Sequence, residues 1–164
     1  MLRAVKSVLF LCTGNSARSI LAEGYLNHAA RGRYRGYSAG SRPAGSVNPF
    51  ALELLRRSGL PTTRARSKSW DEFAGRGAQK MDFVFTVCDS AAAEVCPVWP
   101  GHPVSAHWGV PDPAVVQGTE DEKRRAFKDA FTALARRIDL FLALPVEKLE
   151  HLALKRKLDE IGGR

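Results

Sequence analysis

Short apolar runs alternate with stretches of helical periodicity along this chain, and the alternation narrows the fold sharply. Residues 5–11 form an apolar run ending in a glycine-containing loop, the pattern of a buried strand. Residues 18–30 follow, with Ile20, Leu21, Tyr25 and Ala29 in a rough helical stripe. Residues 35–40 predict a second strand. Asn48-Pro49 reads as a helix start, Asn as cap and Pro in the first turn, and that helix carries Phe50, Leu52, Leu54 and Leu55 as far as Gly59. Ser69-Trp70-Asp71-Glu72 has the form of a capping box and predicts a short helix. Residues 82–87 predict a buried strand with Cys88 at its C-terminal end, residues 90–95 one or two helical turns ended by Pro97, and residues 104–108 a fourth strand. Residues 110–118, with two prolines and a glycine, read as a loop. Thr119-Glu120-Asp121-Glu122 is a second capping box. It opens the longest helix, to about Leu142, with Phe127, Phe131, Leu134, Ile138 and Phe141 on its core face. A last helix over 146–161 carries Leu149, Leu152, Leu154 and Leu158, and its packing stays open.

Strands alternating with helices predict an α/β fold: a single-domain three-layer sandwich with a four-stranded parallel sheet and helices on both faces. Ligands in such folds bind beyond the carboxyl ends of the strands. That rule gathers the loop from Cys12, the segment from Cys88 and the loop around Asp112 at one edge.

At 164 residues the chain can bury a core without disulfide staples. Its net charge of +8 fits either an ordinary basic surface or a field that favours an anionic substrate. Nucleic acid is not expected, because the basic residues are scattered with no interleaved aromatic platform. The one cluster, Lys155-Arg156-Lys157, runs into Asp159 and Glu160 and reads as a solvated helix face. No apolar stretch approaches a membrane span. Arg3 and Lys6 precede an apolar run of only Val8 to Leu11, too short for an export signal, so the cytoplasm and no membrane partner are expected. The three cysteines, Cys12, Cys88 and Cys96, form neither a disulfide framework nor zinc spacing. Each is a buried thiol, a nucleophile or half of a redox pair.

The loop Cys12-Thr13-Gly14-Asn15-Ser16-Ala17-Arg18, between strand and helix, carries the most chemistry. Gly14 permits a tight turn. Converging amides form a nest for an anion, the helix start adds free N–H groups, and Arg18 offers a planar two-pronged donor. The same field lowers the Cys12 thiol towards a thiolate, aimed at the centre of a tetrahedral oxyanion. The bland alternative is a core thiol after a strand, and the bare Cys-x5-Arg spacing alone does not exclude it. Asn15, Ser16 and Ser19 either rigidify the loop or simply cap the helix. Displacement needs a proton donor for the leaving oxygen, and Asp112, stiffened by Pro111 and Pro113, is the candidate; the alternative is a turn aspartate. His107 and Trp108 read as the close of the fourth strand. Cys88 and Cys96, eight positions apart, could meet if a helix between them loosens, or one is a core thiol and the other incidental.

The run from Val8 to Ser19, with Ala22-Glu23-Gly24, resembles the start of the low-molecular-weight tyrosine phosphatase superfamily, and is most similar to the arsenate reductases built on that fold. Ser38-Ala39-Gly40-Ser41, Val87-Cys88-Asp89, Cys96-Pro97 and His107-Trp108-Gly109-Val110-Pro111-Asp112-Pro113-Ala114 resemble its later motifs. The resemblance implies a catalytic domain over residues 1–145 and a C-terminal helical extension over residues 146–164. It implies that Cys12 attacks arsenate or phosphate held by Thr13, Gly14, Asn15, Ser16, Ala17, Arg18 and Ser19, while Asp112 protonates the departing oxygen. For arsenate, Cys88 then attacks Cys12 to release arsenite, and Cys96 attacks Cys88. The Cys88–Cys96 disulfide would be reduced by thioredoxin, or by a glutathione or glutaredoxin system, with no tightly bound cofactor. Some members bind potassium near the loop, and Asn15, Glu23 and Ser38 match that set in part. A monomer is expected.

Two departures carry meaning. Ala17 stands where thioredoxin-linked members often have a further cysteine, and the Cys88–Cys96 gap is one residue longer. Asp112-Pro113 continues as Ala114-Val115-Val116 instead of the tyrosines that line a phosphotyrosine cleft, which suits a small inorganic anion. The competing readings are a small tyrosine phosphatase with the same loop and acid, or an anion-binding regulatory domain without turnover.

Overall fold

The computed structural model describes residues 4–94 and 97–163. Cys96, and with it the end of the 90–95 segment, lies outside the described residues. Four strands, β1 (Lys6–Leu11), β2 (Tyr34–Ala39), β3 (Phe83–Thr86) and β4 (Val104–His107), form one sheet in the order β2-β1-β3-β4. All three pairings are parallel. The helices are α1 (Arg18–Ala29), α2 (Pro49–Arg57), α3 (Asp89–Ala93), α4 (Glu120–Leu142) and α5 (His151–Gly162).

β1 is apolar on both faces because it is central. Val8 and Phe10 pack into a core shared with α1, α2, α4 and α5, whereas Leu9 and Leu11 pack with Phe73, Met81, Val84 and Trp99 on the other side. Helical cover is unequal: the second face has a 3-10 turn (Trp70–Phe73) and irregular chain. There the predicted capping box is not made. The Ser69 hydroxyl accepts from Asp71 N–H, and Glu72 turns away to pair with Arg66. The second box, Thr119 with Glu122, is formed and starts α4.

The terminal helix is part of the single core. Leu154, Leu158 and Ile161 are buried with the residues of α4, and Trp108 donates its indole N–H to the Leu158 carbonyl at 3.0 Å. Trp108 also stacks on Phe85, with ring centroids 3.8 Å apart. α5 thus covers the β4 side of the sheet and braces the start of the Asp112 loop.

The direction in which connections cross the sheet reverses between β1 and β3: β1 connects outward to β2, and β3 outward to β4. A crevice opens at such a switch point, beyond the strand C-termini. Leu11 pairs with Thr86, and Val87 N–H donates to the Leu11 carbonyl. This register delivers Cys12 and Cys88 to the same crevice.

Candidate active site

The loop after β1 is fixed from outside. The carbonyls of Thr13, Gly14 and Ser16 accept the backbone N–H groups of Arg42, Ala44 and Asn48 at 2.8–2.9 Å. Because each peptide is planar and trans, carbonyls engaged outward turn the N–H groups of Gly14, Asn15 and Ala17 inward. α1 then begins on Ala17, which has no side chain to cap it, so its first amides stay available to an anion. Gly40 lies against this loop. A Cβ there would sit 2.4 Å from the Thr13 carbonyl oxygen and 2.6 Å from that of Cys12, so only glycine fits.

The tight turn does not fall on Gly14. Asn15 is the left-handed residue, with φ of 45°, and it is fully buried. Its side chain supports the strained backbone from both ends: Oδ1 accepts Lys68 N–H at 2.9 Å, and Nδ2 donates to Ser19 Oγ at 2.8 Å. Asn15 and Ser19 therefore rigidify the loop rather than meet the anion with their side chains.

Arg18 and Asp112 face each other. The guanidinium donates to the Val110 carbonyl at 2.9 Å and lies 3.4 Å from the Asp112 carboxylate, whose other oxygen caps the short 3-10 turn through Ala114 N–H. Arg137 donates to the carbonyls of Trp108 and Gly109, which anchors the near end of the same loop. Trp108 is fully buried and closes the strand as expected. His107 bridges Thr86 and Asp89, tying β4 to the first residue of α3.

Cys88 caps α3 with its sulfur, which accepts Ala91 N–H and Thr13 N–H, both at 3.4 Å. It also accepts the Cys12 thiol. The bond from Cys12, helped by the Ala91 and Thr13 amides and opposed by burial, draws the Cys88 thiol down to about 5. The bond to Cys88 and burial push the Cys12 thiol up, against the pull of Arg18 and of Gly14 N–H.

Two polar groups at the site carry no sequence signal. Glu94 accepts the Thr13 hydroxyl at 2.8 Å, at the lip of the loop. Lys68, one basic residue among many, is buried, with its ammonium on Ser38 Oγ and the Arg66 carbonyl, beside Glu23. Potassium does not fit that place, because the ammonium holds Ser38 and Glu23, and Asn15 turns its oxygen to a backbone N–H. Among the described residues no group of three acidic, His or Cys side chains could hold a metal, and no helix is long and apolar enough to cross a membrane. A cavity of about 640 Å³, lined by Glu23, Asn27 and Arg64 among others, excludes Cys12, Arg18 and Asp112; the convergence of reactive groups locates the site, not the void.

The low molecular weight phosphotyrosine protein phosphatase family matches residues 7–157. The chain belongs to that family. Relatives include an arsenate reductase of Halalkalibacterium halodurans, 38% identical over 83% of this chain and 94% of its own, and one of Bacillus subtilis, 37% identical over the same shares. A thioredoxin-dependent arsenate reductase of Corynebacterium glutamicum has a similar structure (TM-score 0.56, 26% identity), covering 86% of this chain and 65% of that longer one. An arsenate reductase of Archaeoglobus fulgidus superposes with a TM-score of 0.60 at 27% identity, over 80% of this chain and 98% of that one. A Vibrio cholerae low-molecular-weight phosphotyrosine phosphatase shares the fold, with a TM-score of 0.62 at 22% identity, over 84% of this chain and 97% of its own.

Proposed function

We propose that the protein is an arsenate reductase that works through a Cys12 adduct and a cysteine relay. The observation that carries the reading is the register that brings Cys88 beside Cys12 at the anion loop, where Thr13 N–H holds the Cys88 sulfur. Hydrolysis of a phosphate ester needs only the first thiol. A second, activated thiol on the nucleophile is what a reduction requires. Its relatives at 37–38% identity are arsenate reductases, which supports the same choice.

Arsenate binds to the inward amides of Gly14, Asn15 and Ala17, to the first amides of α1, and to Arg18, which turns its fork from Asp112 to the oxyanion. The Cys12 proton passes to Cys88 along the existing hydrogen bond. The Cys12 thiolate then attacks arsenic(V), an S–As bond forms, and one oxygen leaves as water with a proton from Asp112. Cys88, once deprotonated, attacks the Cys12 sulfur. The S–As electron pair goes to arsenic, which leaves as arsenite, arsenic(III), and a Cys12–Cys88 disulfide remains. Cys96 attacks Cys88 and frees Cys12, and an external dithiol reduces the Cys88–Cys96 bond. Thioredoxin is the favoured donor, given the thioredoxin-dependent structural relative; a glutathione or glutaredoxin system is the other candidate. The reaction takes place in the cytoplasm, on a monomer. Aryl phosphates are slow side substrates, because phosphate matches arsenate in shape and charge.

Arsenate-dependent NADPH oxidation with thioredoxin and thioredoxin reductase, beside glutathione and glutaredoxin, tests the reading. Turnover with either set is expected. Silence in both, with aryl phosphate hydrolysis intact, would return the protein to phosphatase chemistry.

A further inference from the structure

Lys68 is a buried charge that no step above uses. Its ammonium donates to the Arg66 carbonyl at 2.9 Å and to Ser38 Oγ at 3.4 Å, and lies 3.9 Å from Glu23 Oε1. Ser38 in turn donates its hydroxyl to the same Glu23 oxygen. One ammonium thus gathers α1 through Glu23, β2 through Ser38, and its own segment through Arg66. The backbone of the same residue reaches the anion loop. Lys68 N–H holds Asn15 Oδ1, and its carbonyl accepts Gly40 N–H at 3.0 Å. Asn15 is the left-handed residue of the loop, and Gly40 is the bed on which Thr13 and Cys12 lie.

We infer that Lys68 is a positioning residue for the anion loop, and that its ammonium is a built-in cation replacing a bound monovalent ion between Glu23 and Ser38. The physical need is plain. The Glu23 side chain is only 14% exposed, and an unpaired carboxylate there is costly. A tethered ammonium satisfies it without the entropy of capturing an ion, and fixes the residue whose amide holds Asn15 in place. Burial raises the Glu23 carboxyl and lowers the Lys68 ammonium, so each keeps its charge through the other. The inference rests on the loop being an oxyanion site, not on arsenate being its substrate.

Glu23 also lines the large cavity beside α1, so a small cation added from solution has a way in when the ammonium is removed. The test uses inorganic phosphate as the probe, binding being read by calorimetry and by protection of Cys12 from alkylation, mapped by mass spectrometry. Each protein is compared in potassium chloride and in choline chloride at equal ionic strength. Wild type is expected to bind phosphate equally in both. Lys68→Met is expected to bind about tenfold more weakly or worse in choline, the scale on which losses of supporting groups fall, and to recover in potassium. Lys68→Met with Glu23→Gln removes both charges and should be indifferent to the cation. If Lys68→Met does not fold in choline but folds in potassium, the inference stands. Potassium dependence in wild type, unchanged binding in Lys68→Met, equal loss in both salts, or failure of the double variant to fold would each overturn it. Absence of phosphate binding by wild type would instead refute the oxyanion site itself.

Discussion

At the scale of single residues, the decisive pair is Cys12 and Cys88, whose thiols perturb each other. The Cys88 thiol, ordinarily near 9.0, is drawn to about 5 by the bond from Cys12. Thiolate absorbance should therefore titrate near pH 5 in the wild type and move back towards the ordinary range in Cys12→Ala, which removes the donor. The sign for stability follows. Between about 5 and 9 the unfolded chain holds a proton on Cys88 that the folded one has released, so this contribution is full above pH 9 and is lost as pH falls through 5. Chemical denaturation against pH should show that rise in wild type and less of it in Cys88→Ser. Asp112→Asn keeps an oxygen for Ala114 N–H but has no proton to give. Its first chemical step should slow by about a hundredfold or more, the usual reach of general acid catalysis, with little change in melting temperature; an unchanged single-turnover rate would remove Asp112 from that role. Cys88→Ala should spare aryl phosphate hydrolysis while ending arsenate turnover, and equal loss of both would make Cys88 structural.

At the scale of elements, the strands and long helices were legible because their burial is simple. β1 and β3 are apolar because both faces are covered, and α4 shows its stripe because one face is. The loop was legible as a motif, but not in its mechanics. Sequence puts the turn at Gly14, whereas Asn15 makes it, since a buried amide side chain can hold a left-handed backbone from both sides. Ser69 was misleading for a local reason: Glu72 has a better partner in Arg66 than in the helix start. Lys68 and Glu94 act through contacts made by folding, and neither has a neighbour in sequence that would mark it. Gly40 is the element-level weak point. Gly40→Ala drives a Cβ into two loop carbonyls, and should cost about 1–3 kcal/mol in a urea titration while weakening phosphate binding more than its stability loss explains. Binding that tracks stability alone would mean the loop tolerates the shift.

For the whole molecule, the sequence shows that α5 has an apolar face but not what the face covers. It packs on β4 and α4 and receives the Trp108 indole just ahead of the acid loop. Val146, Leu154, Leu158 and Ile161 thus share one core with the rest of the fold. Leu158→Ala, at a fully buried position, should cost about 2–5 kcal/mol by thermal or urea unfolding, and a near-neutral result would make the helix an accessory. If the relay operates, the Cys12 and Cys88 sulfurs are joined during reduction. One turnover with arsenate on Cys96→Ser, followed by acid quench and peptide mapping, tests it most directly. One Cys12–Cys88 disulfide per arsenite released is expected; arsenite formed with Cys12 and Cys88 both free would rule the relay out.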